Sequence, residues 1–253
     1  MELPMNEPES MSWRDISAWR KAQREHWIAW RCAVPDTQRA GWGKRMSAVL
    51  RAVLPAPQGM VIGFCWPFRA EFDARFAVRY WRERGAIVAL PEVVGKGQPL
   101  RFRQWWPGAP MTRGVYDIPL PEGTPEVLPD IAIVPMNACD SRGFRLGYGG
   151  GYFDRTLAAL QRQVVAIGVT YEACRVATIY PQAHDIAMDL VVTEAGIFAG
   201  AGESLALPAA GTGASPGACE PLALLEAVAG AARVEDLLGQ RGLPRGVSEN
   251  NRN

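Results

Sequence analysis

"DIAIVPMNACDSRGFRLGYGGGYFDRTLA", residues 130–158, decides how this chain folds. The apolar run at 130–135 predicts a buried strand, and the pattern at 152–163 predicts a helix. Between them, four of the five positions from Gly147 to Gly151 are glycine. A strand, a loop and a helix in this order form the repeating unit of α/β proteins.

The same alternation continues on both sides of this unit. Further strands are predicted at 60–65, 86–91, 100–105, 164–171 and 189–194, and helices at 12–34, 37–54 and 71–85. Most of these strands are apolar throughout, which is typical of a parallel sheet buried on both faces. The predicted fold class is therefore α/β, with a mainly parallel sheet flanked by helices.

The composition is that of a globular protein, with 48% apolar and 21% charged residues. Lys plus Arg is 27 and Asp plus Glu is 26, so charge gives no general reason to expect nucleic acid or a membrane as partner. The five cysteines form no CxxC pair, which favours reduced thiols. The first ten residues lack the pattern of a signal peptide, and no apolar run reaches the ~18 residues of a membrane helix. We expect a cytoplasmic protein.

Composition also divides the chain into three parts. Residues 1–12 are polar and form an expected loose arm. The α/β domain is expected at 13–198. The remainder, 199–253, is rich in Ala, Gly and Pro and is expected to be largely flexible, with a possible short helix within 222–242.

The glycine-rich loop lies where α/β sheets bind ligands, beyond the carboxyl end of a strand. A following helix start offers free N–H groups to phosphate, and glycine lets the backbone come close. Arg145 could donate to phosphate oxygens, and Asp154 could hold Mg²⁺ against them. However, the loop has neither the P-loop nor the dinucleotide spacing. From the residues alone, a phosphate cradle and a tight turn both remain open.

The quoted stretch resembles the signature of the 5-formyltetrahydrofolate cyclo-ligase family, an apolar strand followed by D-x-x-G-x-R-L-G-x-G-x-G-Y-Y-D-R. Two further segments agree in order and spacing, "WPFRAEFD" at 66–73 and "YPQAHDIAMDLVVTE" at 180–194. The resemblance covers about residues 13–198. It implies a three-layer, Rossmann-like fold and the ATP-dependent conversion of 5-formyltetrahydrofolate to 5,10-methenyltetrahydrofolate, with ATP as co-substrate and Mg²⁺ as cofactor.

The resemblance also implies roles for individual residues. The expected ATP-binding residues are Arg20, Arg24, Arg145, Leu146, Gly147, Tyr148, Gly149, Gly150, Gly151, Tyr152 and Phe153. The expected folate-binding residues are Trp66, Glu71, Tyr148, Gly149, Gly150, Gly151 and Tyr152, with Phe68 as a further wall. Arg145 and Tyr152 are the expected catalytic residues, and Asp154 and Asp185 the expected metal ligands.

Each role has a structural alternative. Glu71 and Asp154 could be exposed charges favoured by a helix N-terminus, and Asp185 could be a loop cap. Trp66 and Phe68 could equally be core residues.

The N-terminal helix carries the counterpart of the family's K-x-x-x-R pair. Arg20 stands at the lysine position and Arg24 four residues on, so both lie on one helix face and could reach phosphates. Because arginine and lysine differ in shape, the phosphate grip is less secure here. The alternative is a solvated basic face.

Two other functions remain open. The chain could be a paralogue that binds ATP but acts on another substrate or lacks turnover. It could also be an effector-sensing domain whose C-terminal helix docks on a partner. The only histidines, His26 and His184, suggest no triad with Cys139, so nucleophilic catalysis is disfavoured.

Overall fold

The fold is built on a central sheet of seven strands, seen in a computed structural model that describes residues 11–160, 163–199 and 232–243. In chain order, all strands of the described residues are β1 (Val61–Phe64), β2 (Ile87–Val93), β3 (Leu100–Trp105), β4 (Met111–Arg113), β5 (Pro119–Pro121), β6 (Ile131–Pro135), β7 (Ala138–Asp140), β8 (Arg145–Leu146), β9 (Val165–Val169), β10 (Arg175–Val176), β11 (Leu190–Thr193) and β12 (Gly196–Ala199). The helices are α1 (Trp13–Ala33), α2 (Asp36–Val53), α3 (Arg75–Arg82), α4 (Tyr152–Ala159) and α5 (232–240).

The central sheet has the strand order β12-β11-β9-β6-β1-β2-β3. Its five inner strands run parallel, with Ile62 of β1 paired to both Val88 of β2 and Ile131 of β6. The two edge strands, β3 and β12, are antiparallel to their neighbours. The predicted mainly parallel sheet is confirmed.

Helices cover both faces of this sheet because successive strand residues point to opposite sides. Ile131 and Ile133 of β6 belong to one core cluster, together with buried residues of α2, α3 and α5. Ala132 and Val134 belong to a second cluster, which contains Leu157 of α4. The result is three layers, and it explains why the inner strands are mostly apolar.

The predicted helix at 71–85 begins later than expected, at Arg75. Arg69 and Ala70 adopt left-handed backbone angles, φ +46° and +60°, and form a turn that the Glu71 N–H closes by donating to the Phe68 carbonyl at 3.1 Å. Glu71 therefore lies in a turn before the helix. The predicted start of this helix at 71 is wrong, and the difference moves Glu71 into the cleft described below.

The segment between β6 and the glycine-rich loop is more structured than expected. β7 and β8 pair antiparallel, with Cys139 opposite Arg145, and β10 joins β7 as a third strand. This small sheet fixes Arg145 and Leu146 directly before the glycines. The short strands β4 and β5 form a separate hairpin. None of these short strands has an apolar pattern long enough to be recognised in the sequence.

The C-terminal helix α5 packs on the α/β domain. Val234, Leu237 and Leu238 are buried in the cluster that also holds α2 and α3. Arg241, just after the helix, donates to the Asp189 carboxylate at 2.9 Å. Most of the predicted arm, and 200–231 and 244–253 of the predicted tail, lie outside the described residues. Of the helices that are described, none is long and apolar enough to cross a membrane.

Candidate functional site

A cleft of about 920 Å³ opens at the carboxyl ends of β1, β2 and β6. Every residue that the sequence assigns to ATP, folate or metal lines it. These residues are Arg20, Arg24, Trp66, Phe68, Glu71, Arg145, Leu146, Gly147, Tyr148, Gly149, Gly150, Gly151, Tyr152, Phe153, Asp154 and Asp185. They come from four separate parts of the chain, which the parallel sheet brings together at one edge.

Helix α1 crosses this edge and presents arginines along one face. Arg20, Arg24 and Arg31 are spaced four and seven residues apart, which keeps them on the same side of a helix. Two of the three, Arg20 and Arg31, are among the most buried side chains of the helix. Buried arginines require partners, because an unpaired charge away from water is costly.

Arg20 is fully engaged by the segment around Asp185. It forms an ion pair with the Asp185 carboxylate, and it also donates to the carbonyls of Ile179 at 3.0 Å and Tyr180 at 2.9 Å. Burial raises the pKa of Asp185, but hydrogen bonds from Arg20 and from the Gln182 N–H outweigh it, so this pKa lies below its usual value. Asp185 is therefore ionised at neutral pH.

Arg24 is the more available of the two predicted phosphate arginines. Its Nε donates to the Gly147 carbonyl at 2.9 Å, which ties α1 to the glycine-rich loop. Burial and the nearby charge of Arg20 lower the pKa of Arg24, because both disfavour another positive charge. An anion in the cleft would relieve this repulsion.

Arg145 and Asp154 form a two-pronged ion pair across the glycine-rich loop. Nη1 and Nη2 of Arg145 each lie 2.8 Å from a carboxylate oxygen of Asp154. The same carboxylate accepts the N–H of Ile186 at 3.2 Å, so the loop and the Asp185 segment meet at this point. This ion pair therefore connects β8, before the glycine-rich loop, with α4, after it.

The carboxylate oxygens of Asp154 and Asp185 are a type of ligand that suits Mg²⁺. Each carboxylate accepts three hydrogen bonds from described residues, which leaves about one of its roughly four acceptor positions for a metal ion. Both line the cleft, and Mg²⁺ is commonly bound by one or two carboxylates together with substrate phosphates. Within the described ranges, no group of three or more His, Cys, Asp or Glu residues could hold a metal ion by itself.

Glu71 lies at the other end of the cleft, among aromatic side chains. Its Oε1 accepts from the Tyr148 hydroxyl at 2.8 Å, and its Oε2 accepts the Phe68 N–H at 3.0 Å. Trp66 lies edge-on to Trp105, with ring centroids 6.0 Å apart. Burial raises the pKa of Glu71. A buried carboxylate between aromatic walls suits a flat heterocycle that donates hydrogen bonds.

The protein's own geometry requires three of the four glycines. Gly149 has φ +91° and Gly151 has φ +63°, which favour glycine. A Cβ on Gly150 would lie 2.7 Å from the Tyr152 ring. A Cβ on Gly147, by contrast, would meet nothing closer than 4.0 Å. At Gly147, therefore, no contact within the protein explains the absence of a side chain.

Sequence reasoning missed several residues of the cleft. The β4–β5 hairpin supplies a wall with Val115, Tyr116 and Leu120, and no sequence motif marks it. Sequence reasoning also did not identify Arg31 as a site residue, although the spacing of Arg31 from Arg24 on α1 could have suggested this role. The disfavoured thiol chemistry stays without support, because burial raises the pKa of the Cys139 thiol to about 12.

The fold and the cleft can now be compared with known proteins. Residues 17–194 match the model of the 5-formyltetrahydrofolate cyclo-ligase family. Among solved structures, 5,10-methenyltetrahydrofolate synthetase of Aquifex aeolicus has a TM-score of 0.62 at 22% identity, covering 74% of this chain and 95% of that one. The synthetase of Mycoplasma pneumoniae has a TM-score of 0.58 at 20% identity, covering 69% and 98%. These likenesses show the same fold.

Three curated relatives carry the name 5-formyltetrahydrofolate cyclo-ligase. The protein of Mycolicibacterium smegmatis is 37% identical over 44% of this chain and 61% of its own length. That of Haemophilus influenzae is 33% identical over 37% and 54%. That of Escherichia coli is 26% identical over 64% and 93%. The match thus spans little more than half of the first two relatives. Because the family model covers most of the chain, this protein belongs to the 5-formyltetrahydrofolate cyclo-ligase family.

Proposed function

We propose that the protein uses ATP to convert 5-formyltetrahydrofolate to 5,10-methenyltetrahydrofolate, releasing ADP and phosphate. One observation carries the proposal beyond family membership. All the residues that the family pattern assigns to ATP, folate and metal line a single cleft of about 920 Å³. The partners are then small molecules, and the cytoplasmic location favoured by the cysteine content is part of the same proposal.

The reaction demands positioning more than covalent chemistry from the protein. The formyl oxygen attacks the γ-phosphorus of ATP, and ADP leaves. The neighbouring nitrogen of the folate then attacks the activated formyl carbon, and phosphate leaves with the former formyl oxygen. Phosphoryl transfer of this kind depends on in-line alignment and on neutralising charge. No side chain has to act as a nucleophile.

The residues around the glycine-rich loop suit the phosphates. Arg24 faces the cleft beside Gly147, and the N-terminal end of α4 follows Gly151. The backbone N–H groups there and the Arg24 guanidinium would bind phosphate oxygens. Asp154 and Asp185 would hold Mg²⁺, which supplies charge neutralisation for the phosphates when bound. Arg145 keeps Asp154 in place by its two hydrogen bonds.

The aromatic end of the cleft suits the pterin. Glu71 would accept hydrogen bonds from pterin N–H groups, while Trp66 and Phe68 would pack against the ring faces. The Tyr152 ring lies against Gly150, and its centroid is 5.4 Å from Arg155 Cζ. Under this proposal, the pterin and the phosphates would meet across the same glycines.

The test is direct. Purified protein with 5-formyltetrahydrofolate, ATP and Mg²⁺ should produce the near-ultraviolet absorbance of the methenyl product. Omission of ATP is the control, because the product also forms slowly in acid without phosphoryl transfer. No ATP-dependent signal at high protein concentration would reject the proposal.

A second candidate is a paralogue that binds ATP but acts on another substrate or lacks turnover. Arg20 favours this second candidate, because it stands at the family's lysine position and its guanidinium already donates to Asp185 and to two carbonyls. A thermal-shift panel of nucleotides and folates separates the two candidates. Stabilisation by ATP and by no folate would support the paralogue.

A further inference from the structure

Arg31 lies behind the wall of the cleft and is only 2% exposed. All three nitrogens of its guanidinium have partners. Nε donates to the Arg69 carbonyl at 2.7 Å, Nη1 donates to Asn137 Oδ1 at 2.8 Å, and Nη2 donates to the Tyr148 hydroxyl at 2.5 Å. The same Nη2 lies 3.7 Å from Glu71 Oε1. One buried cation therefore contacts both walls of the aromatic end of the cleft.

The turn before Glu71 depends on buried donors. Arg69 and Ala70 are consecutive non-glycine residues with left-handed angles, a conformation that persists only where the surrounding structure holds it. Their carbonyls accept from Arg31 Nε and from the Tyr171 hydroxyl at 3.2 Å. Both donors are buried side chains, and the Arg69 carbonyl also accepts from Cys32 Sγ at 3.5 Å. Arg31 thus supports the turn that aims the Glu71 carboxylate.

The charge of Arg31 also favours the ionised form of that carboxylate. Burial raises the pKa of Glu71, while the charge of Arg31 and hydrogen bonds from Tyr148 and the Phe68 N–H lower it again. Cys65 and Tyr148 are further titratable neighbours of Glu71, and burial raises the pKa of each so far that both stay neutral. Arg31 is the positive charge that opposes the burial of this carboxylate.

We propose that Arg31 is a positioning residue of the folate end of the cleft, which orients Glu71 and Tyr148 from behind without touching the substrate. This inference rests on the proposed function. It deepens that function by naming the residue that prepares the carboxylate for the pterin. It also predicts that folate and ATP binding respond differently when Arg31 is changed, because Glu71 and the turn at Arg69, which Arg31 contacts, belong to the folate end.

The experiment compares Arg31→Met, Arg31→Lys and a matched control, Arg39→Met. Arg39 also donates to buried carbonyls, those of Arg31 at 3.3 Å and Val34 at 2.7 Å, but it has no contact with Glu71. The quantities measured are kcat and the KM values for 5-formyltetrahydrofolate and ATP, together with the pH profile of kcat/KM for the folate.

Arg31→Met should raise the KM for the folate at least about 30-fold and change the KM for ATP less than threefold. The acid limb of its pH profile of kcat/KM should move to higher pH, because Glu71 has lost its positive neighbour and is protonated at a higher pH. Arg31→Lys should return the acid limb to its wild-type position, because lysine keeps the positive charge. The KM for the folate should stay raised, because lysine lacks the planar guanidinium that donates to several partners. Arg39→Met should change neither KM nor the pH profile.

Equal effects of Arg31→Met on the two KM values, or an acid limb that does not move, would overturn the inference and leave Arg31 a purely structural residue. If Arg31→Met does not fold, a folate KM in Arg31→Lys equal to that of the wild type overturns it. If the wild type binds the folate without turnover, the proposed function fails. The same variants are then compared by equilibrium folate titration, and unchanged affinity in Arg31→Met overturns the inference. Absence of any folate binding overturns both.

Discussion

Gly149→Ala tests how the glycine-rich loop is tied to α1. Gly149 has φ +91°, and an alanine there is held in a left-handed conformation that costs about 1–2 kcal/mol. The added Cβ would also lie 3.3 Å from Arg24 Cζ, so the guanidinium has to move by a few tenths of an ångström. The substitution therefore strains the loop and disturbs the arginine that donates to Gly147.

Two measurements follow from this geometry. The free energy of unfolding without ligands should fall by about 1–2 kcal/mol, which lowers the melting temperature by about 2–8 °C in a domain of this size. The KM for ATP should rise about two- to tenfold, the worth of one hydrogen bond, while the KM for the folate changes less. Denaturant titration and steady-state kinetics measure the two effects.

Gly147→Ala is the matched control in the same loop. Its φ is not left-handed, and its Cβ would meet only Arg145 Nε, at 4.0 Å. The unliganded protein should therefore keep its stability or gain up to about 1 kcal/mol, because alanine restricts the unfolded chain. If Gly149→Ala unfolds at the wild-type midpoint, or Gly147→Ala is destabilised as much as Gly149→Ala, the reasoning from backbone strain is refuted.

Three further predictions concern buried contacts. Asp154→Asn should abolish most product formation, and wild-type activity would contradict the metal role. It should also lower the free energy of unfolding, measured by denaturant titration, by about 2–4 kcal/mol, because Arg145 then keeps its charge without a counter-charge. Arg20→Ala should be least stable relative to wild type at neutral pH. The difference in the free energy of unfolding between the two proteins should shrink as pH falls through the lowered pKa of Asp185, because protonation then removes the ion pair from the wild type as well. A difference that does not change with pH would contradict this prediction. Leu238→Ala should lower the free energy of unfolding by about 2–5 kcal/mol, because Leu238 is fully buried where α5 packs on the domain, and an unchanged melting temperature would contradict this docking.

The sequence predicted six of the seven strands of the central sheet, all but β12, and those cleft residues that belong to the family pattern. Apolar strands such as 130–135 carry their own signal, since a parallel sheet buries both faces. The cleft followed because the family pattern places its residues at the carboxyl ends of those strands. Spacing alone also put Arg20 and Arg24 on one helix face, which the structure confirms.

Contacts between distant segments were beyond the sequence. Nothing around Arg20 indicates that it pairs with Asp185, which lies 165 residues further on. The start of α3 was missed because the left-handed angles of Arg69 and Ala70 are sustained by donors from elsewhere in the fold, and local preference opposes them. Arg31 was missed because a buried arginine has the same sequence signal as an exposed one.

The position of α1 in the chain has a consequence for how the cleft forms during synthesis. Arg20 and Arg24 find partners 123 to 165 residues later, at Gly147 and Asp185. A chain emerging from the ribosome N-terminus first exposes these two arginines long before those partners exist. A nascent chain stopped short of Asp185 would lack part of the cleft, however well its first strands had paired. The first helix to be made is the last part of the site to be completed.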